Sequence, residues 1–172
     1  MREKCIALLK QRGVEIDDII DIVLLLQQPY IENLKREEVY DNLMEILNKR
    51  EVHHAVYTGI AIDISVDEGT FFDETIRKTI KEDYGLYGVD EVLAYGICNI
   101  YGSIALTNFG YVDKLKPGII QVINDDLTQC NTFLDDIVGA LAAAAASRLA
   151  HTYRHEIKEE VMERKKKRAK RK

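Results

Sequence analysis

Two prolines stand in 172 residues, and there is no tryptophan and no Asn-Gly or Asp-Gly pair. Tight two-residue hairpins depend on such pairs, so their absence argues against an all-β fold. Cysteine is scarce and odd in number, with Cys5, Cys98 and Cys130 in no CxxC spacing. That argues against a disulfide framework or a zinc site and for buried thiols in a reducing, cytosolic setting. No GxSxG, no Walker loop and no dinucleotide-type glycine loop occurs, and no cysteine adjoins a histidine. The opening "MREKCIALLKQRG" is charged throughout and does not read as a signal peptide.

Long uncharged runs are also few. One, residues 92–112, lasts 21 residues, enough by length to span a bilayer. It contains Asn99, Ser103, Thr107, Asn108 and three glycines, which are costly in lipid unless paired. A helix buried in a soluble bundle is the better reading.

What is present is charge, unevenly placed. The segment "RKKKRAKRK" at 164–172 has eight basic residues and no acid. Without it, 16 basic residues face 29 acidic ones, a net charge of −13. An acidic body argues against nucleic acid as a partner. The tail could meet an anionic membrane surface, at roughly 1 kcal/mol per basic side chain near it, or be a solvated helix end. Residues 1–163 therefore read as a single helical domain and 164–172 as a basic tail.

Almost every segment has a period of 3.6. Cys5, Leu8 and Leu9 share one face of a first helix ended by Gly13, and residues 17–28 form a second stopped by Pro29. Val39, Leu43, Ile46 and Leu47 stripe a third over 33–50, and a fourth covers 52–66. Phe72, Ile76 and Ile80 stripe the next, which closes at Gly85. A small-residue helix then runs from about Val89 to Tyr111, with a turn at Pro117 and Gly118 and a short helix behind. The last begins near Thr132 and passes through five consecutive alanines. The pattern predicts an all-α single-domain bundle of seven or eight helices, with a central apolar, small-residue-rich helix.

One pattern occurs twice. "VDEVLA" at 89–94 and "LDDIVG" at 134–139 each place two adjacent acids in the first turn of an apolar helix. First-turn carboxylates complement the helix dipole, and Thr132 could cap the second helix with Asp135 three positions on. That explains one acid per helix. Adjacent residues lie about 100° apart, so a second acid tends to turn inward. Buried neighbouring carboxylates raise one another's pKa, and a hard divalent cation such as Mg²⁺ relieves the cost while leaving sites for phosphate. Between the helices, "DKLKP" offers Asp113 as a further ligand and Lys114 and Lys116 as phosphate contacts. Capping with solvation and a functional acidic cluster both fit the pattern.

In order and spacing, "VDEVLAYG", "DKLKPG" and "FLDDIVGALAAA" resemble the phosphatidylglycerophosphatase A family over roughly residues 70–150. The whole chain is similar to that family's soluble bacterial branch, the low-temperature-requirement C-like proteins, while residues 1–66 show no counterpart of the membrane enzymes' N-terminal motif. The resemblance implies a Mg²⁺-dependent phosphatase acting on phosphatidylglycerophosphate or a related phosphate ester. Asp90, Glu91, Asp113, Lys116, Asp135 and Asp136 match the family's motif positions, with Asp90, Glu91, Asp135 and Asp136 expected to hold metal and Lys116 to offset phosphoryl charge. Either water or an aspartate could attack phosphorus. The alternative is a non-catalytic helical protein whose acids bind metal or ligand.

Other features read more plainly. His151 and His155 share a helix face without a metal motif, and His53 or His54 could turn toward the acids. Asp63, Asp67, Glu68, Asp73 and Glu74 miss the EF-hand spacing and read as a polar loop with a helix cap at Thr70. The expected setting is cytoplasmic, at the inner membrane face if the tail binds lipid, and so many apolar helices suit a homo-oligomer.

Overall fold

A run of alanines and glycines lets neighbouring backbones approach closely, and the molecule is organised around such a run. The computed structural model describes residues 1–169, with side chains through Arg154. Among the described residues there are nine helices and no strand. They are α1 (Arg2–Gln11), α2 (Ile16–Gln27), α3 (Arg36–Leu47), α4 (Arg50–Asp67), α5 (Glu74–Lys81), α6 (Val89–Asn99), α7 (Ser103–Leu115), α8 (Ile119–Asp125) and α9 (Leu134–Ala169). This is the all-α single domain the periodicity predicts, with one or two more helices.

Every residue from 130 to 147 is buried, so the first part of α9 is the axis of the bundle. Helices α7, α6, α2 and α3 pack along it, with α4 and α8 closing the ring. Gly59 shows how close the approach is: a Cβ there would lie 2.3 Å from Ile137 Cδ1 and 3.1 Å from Phe133 Cβ. The α3 stripe packs inward as expected, with Val39, Leu43, Ile46 and Leu47 all buried. Each such side chain stabilises the fold by roughly 1.5–3 kcal/mol. The three cysteines are free and buried.

Two expectations need correction. Phe72 is 95% exposed and Ile76 41%; Phe71 packs against the core instead, and α5 buries only Ile80. The helix also closes before Gly85. Asp83 takes the left-handed conformation at φ 47°, with its amide on the Ile80 carbonyl and the Tyr84 amide on that of Thr79. This is the Schellman arrangement that usually employs glycine.

The larger correction concerns the expected helix from Val89 to Tyr111, which breaks at 100–102. Gly102 adopts φ 80°, a conformation nearly closed to other residues. The Tyr101 carbonyl released by the break accepts a hydrogen bond from the Ser147 hydroxyl of α9 at 2.8 Å. A straight helix would set Asp90 and Asp113 about 34 Å apart, at 1.5 Å per residue. The break turns α6 and α7 into a hairpin and returns both residues to the end where α9 begins. Among the described residues no helix is long and apolar enough to cross a membrane.

Candidate metal centre

The mouth of α9 is built by a different acid from the one the sequence suggests. Asp63 of α4, fully buried, accepts hydrogen bonds from the Phe133 and Leu134 amides at 3.2 and 3.0 Å. These are amides at the start of α9, where no intrahelical carbonyl is available. The Cys130 thiol donates to the same carboxylate at 3.5 Å. Thr132 does not cap the helix; its hydroxyl donates to the Ile80 carbonyl. Asp67 accepts the Cys130 amide at 2.8 Å and pairs with buried Arg12 at 3.1 Å. Asp73, not Thr70, caps α5, accepting from the Ile76 amide. Three of the five acids read as one polar loop thus become a buried cap, an ion-pair partner and a helix cap.

This framework fixes Asp135 and Asp136, both buried, in the first turn of α9. Their environments diverge. Asp135 Oδ2 accepts from Lys116 Nζ at 2.7 Å, and its Oδ1 accepts the Asp136 amide at 2.9 Å. Lys116 also donates to Asp113 Oδ1 at 2.9 Å. Lys116 ends α7 with φ 46°, immediately before Pro117, which cannot continue the helix. A left-handed conformation costs a lysine roughly 1–2 kcal/mol, and the two carboxylates hold it there. Burial alone would lower the Lys116 pKa, but Asp135 and Asp113 outweigh it and raise it.

Asp136 points elsewhere. One carboxylate oxygen from each of Asp90, Glu91 and Asp136 lies within 4.8 Å of the others. Asp90 Oδ1, Glu91 Oε2 and Asp136 Oδ2 are all buried with no hydrogen-bond partner. Burial, then the charges of Asp135 and Asp90, push Asp136 up to about 9 against the relief from Lys116. Burial and the neighbouring Glu91 push Asp90 to about 7. Three converging carboxylates, each with a buried oxygen that lacks a donor, suit a hard cation, which takes oxygen ligands and removes the repulsion.

The structure therefore gathers all six sequence-derived residues at one end of the bundle in two groups. Asp90, Glu91 and Asp136 form the cluster; Asp113, Lys116 and Asp135 form the ion-paired group beside it. Asp135, expected among the metal ligands, is instead held by Lys116. Lys114 lies outside both groups. Asp83 is an addition: it lies close enough to Lys116, Glu91 and Asp113 to feel their charges, and burial raises its pKa. Nothing in "KEDYG" marks it in advance except tolerance of aspartate for a left-handed turn.

The histidines stay apart. His53 is buried with its Nε2 on the Leu47 carbonyl, while His54 and His151 are exposed. The side chains of His155 and of the basic tail, and residues 170–172 entirely, lie outside the described residues.

The model of the family described as phosphatidylglycerophosphatase A matches residues 10–151. The chain belongs to the phosphatidylglycerophosphatase A family. The match begins well before residue 70, so α2, α3 and α4 lie within the family's scaffold although residues 1–66 show no counterpart of the membrane enzymes' N-terminal motif. The uncharacterised protein YutG of Bacillus subtilis is 50% identical over 152 residues, covering 88% of this chain and 91% of its own. The solved low temperature requirement C protein from Listeria monocytogenes is 51% identical, with a TM-score of 0.85 over 89% of this chain and 96% of its own. A Bacillus stearothermophilus protein of unknown function superimposes equally well, at 49% identity and a TM-score of 0.85 over 88% of this chain and 94% of its own. The Listeria structure carries the name of the low-temperature-requirement C branch that the whole chain resembles. Membership points to a phosphatase-related role.

Proposed function

We propose that the protein is a Mg²⁺-dependent phosphomonoester hydrolase that removes phosphate from phosphatidylglycerophosphate or a related phosphate ester. The observation that carries this reading is the convergence of three carboxylates from α6 and α9, each with a buried, partnerless oxygen, beside a lysine held on two further carboxylates. Asp90, Glu91 and Asp136 would hold the ion. A bound divalent cation supplies charge neutralisation at phosphoryl oxygens and a more acidic water.

The chain's own groups do the rest. Lys116, fixed between Asp113 and Asp135, presents an ammonium to the phosphoryl oxygens where charge builds in the transition state. Burial of the carboxylates keeps bulk water from screening these charges. In hydrolysis a new P–O bond forms to water, the ester P–O bond breaks, and the alcohol leaves with a proton. An aspartate attacking first, with its acyl phosphate then hydrolysed, gives the same balance. The tail would hold the protein at the inner, anionic membrane face when the substrate is a lipid, and a second copy would cover apolar faces such as the one carrying Val92.

Phosphate release from phosphatidylglycerophosphate in mixed micelles, with and without Mg²⁺, tests the reading. Wild type should require Mg²⁺, and Asp136→Ala should lose about 10³-fold or more in kcat/KM with its helicity intact. Full activity in that variant would remove this site from the chemistry. A non-catalytic role draws on one observation, that Lys116 is already committed to two carboxylates. It predicts stabilisation by Mg²⁺ without hydrolysis of any ester.

A further inference from the structure

Far from the acid cluster lies a cavity of about 700 Å³, between the end of α2, the first half of α7 and α9 near Ala150. That volume falls in the range of small-molecule sites, roughly 300–1,000 Å³. Asp136 of the cluster and Arg154 of this cavity are about 27 Å apart along α9, at 1.5 Å per residue. The chemistry is also reversed. The chain has 29 acids, yet none of the ten residues lining this cavity is one, and Arg154 brings its only formal charge.

Two carboxamides line it without partners. Gln27 is 4% exposed and makes no side-chain hydrogen bond among the described residues. Asn108 Nδ2 is buried and donates to nothing. Buried amides are nearly always paired, so two bare ones at one cavity point to a ligand that completes them. Tyr30 and Tyr153 border the same space. The Tyr153 hydroxyl donates to Glu38 at 3.3 Å, outside the cavity, so its ring is what it offers. Ser103 and Ile104 open α7, where amides have no intrahelical acceptor.

We propose that this cavity binds a mononucleotide. The base stacks on the tyrosine rings, with its edge on the Gln27 and Asn108 carboxamides, which offer the donor and acceptor pair that bases match. The phosphate meets Arg154 and the start of α7. A fatty acid would satisfy Arg154 and leave both carboxamides bare, and an amine would find no carboxylate. The phosphatase reading is not needed for this site and does not fall with it.

Calorimetric titration of the full chain in EDTA tests the proposal, because the chelator keeps phosphate from joining a cation at the acid cluster. The probes are AMP, GMP, CMP and UMP, with ribose 5-phosphate and inorganic phosphate beside them. At least one nucleotide should bind about tenfold or more tighter than ribose 5-phosphate, through stacking and the base edge. Arg154→Gln should weaken that nucleotide about three- to tenfold.

Asn108→Leu removes an amide that holds nothing in the fold and puts a better helix former into α7. It should keep the wild-type Tm and weaken the nucleotide about tenfold. Gln27→Met, close in volume, provides the same reading from α2. No binding of any nucleotide at millimolar concentration would overturn the proposal. So would equal affinity for the nucleotide and ribose 5-phosphate, which assigns binding to charge alone, as in attraction to the basic tail. Nucleotide affinity unmoved in both Asn108→Leu and Gln27→Met would overturn it as well.

Discussion

Asp63 and Asp136 lie at the same helix mouth, 0% and 4% exposed, and the chain treats them in opposite ways. Asp63 is surrounded by donors: two amides of the α9 start and the Cys130 thiol. Asp136 has one oxygen that accepts nothing and two other bare carboxylate oxygens for company. A buried acid used for structure is satisfied by its fold. One left unsatisfied beside others destabilises the fold and points to a ligand that the chain does not itself supply.

Removing each acid should therefore move stability in opposite directions. Asp63→Ala leaves the Phe133 and Leu134 amides without a partner in the interior. The loss should be about 2–4 kcal/mol, lowering Tm by about 5–15 °C. Asp136→Asn removes a crowded acid at nearly constant volume and should raise the Tm of the metal-free protein by about 2–4 °C. Calorimetry in the presence of a chelator measures both. A fall of similar size in the two variants would mean that Asp136 is as structural as Asp63.

The same contrast shows what the sequence makes legible. The α3 stripe and the burial of α9 follow from local periodicity, because residues three and four apart share a face whatever the tertiary context. The acid pairs of α6 and α9 stand out because adjacent carboxylates before an apolar run are locally expensive. Asp63 does not stand out. It sits among Asp67, Glu68 and Asp73 and looks like one more solvated acid, while the amides it caps are 70 and 71 residues away. The break between α6 and α7 is hidden for a related reason. A glycine in a small-residue helix is tolerated as readily as it turns the chain, and the Ser147 bond that holds the turn spans 46 residues. Without that break, the order of the acids along the chain would still be legible, but not their meeting at one end of the bundle.

Metal should sharpen the comparison next. Mg²⁺ at about 100 times its dissociation constant stabilises a single-site protein by about 2.7 kcal/mol, or about 5–11 °C in Tm for a chain of this length. Wild type and Asp63→Asn should both show a gain of that order, since Asp63 touches none of the three bare oxygens. Asp136→Asn should lose most of it. A full Mg²⁺ response in Asp136→Asn would place the ion elsewhere.

The smallest effect, and the most diagnostic of sign, is the response to pH without metal. Asp63 and Asp90 are each pushed to about 7 and Asp136 to about 9, in every case chiefly by burial. An unfolded aspartate titrates near 3.9. Below that value each group is protonated in both states and contributes nothing to the pH dependence. As pH rises the unfolded chain releases its protons first, so the native state holds more of them and stability declines. The decline from Asp63 and Asp90 is complete just above pH 7. Of these three, Asp136 alone continues it toward pH 9. Asp136→Asn should flatten the Tm curve between pH 7 and 9 and reduce, without removing, the slope between 4 and 7, where Asp63 and Asp90 still contribute. Saturating Mg²⁺ should flatten the same upper limb in wild type, because the ion takes the position that the proton otherwise occupies. An upper limb unchanged by either treatment would show that Asp136 titrates as an ordinary carboxylate and is not the crowded acid its surroundings describe.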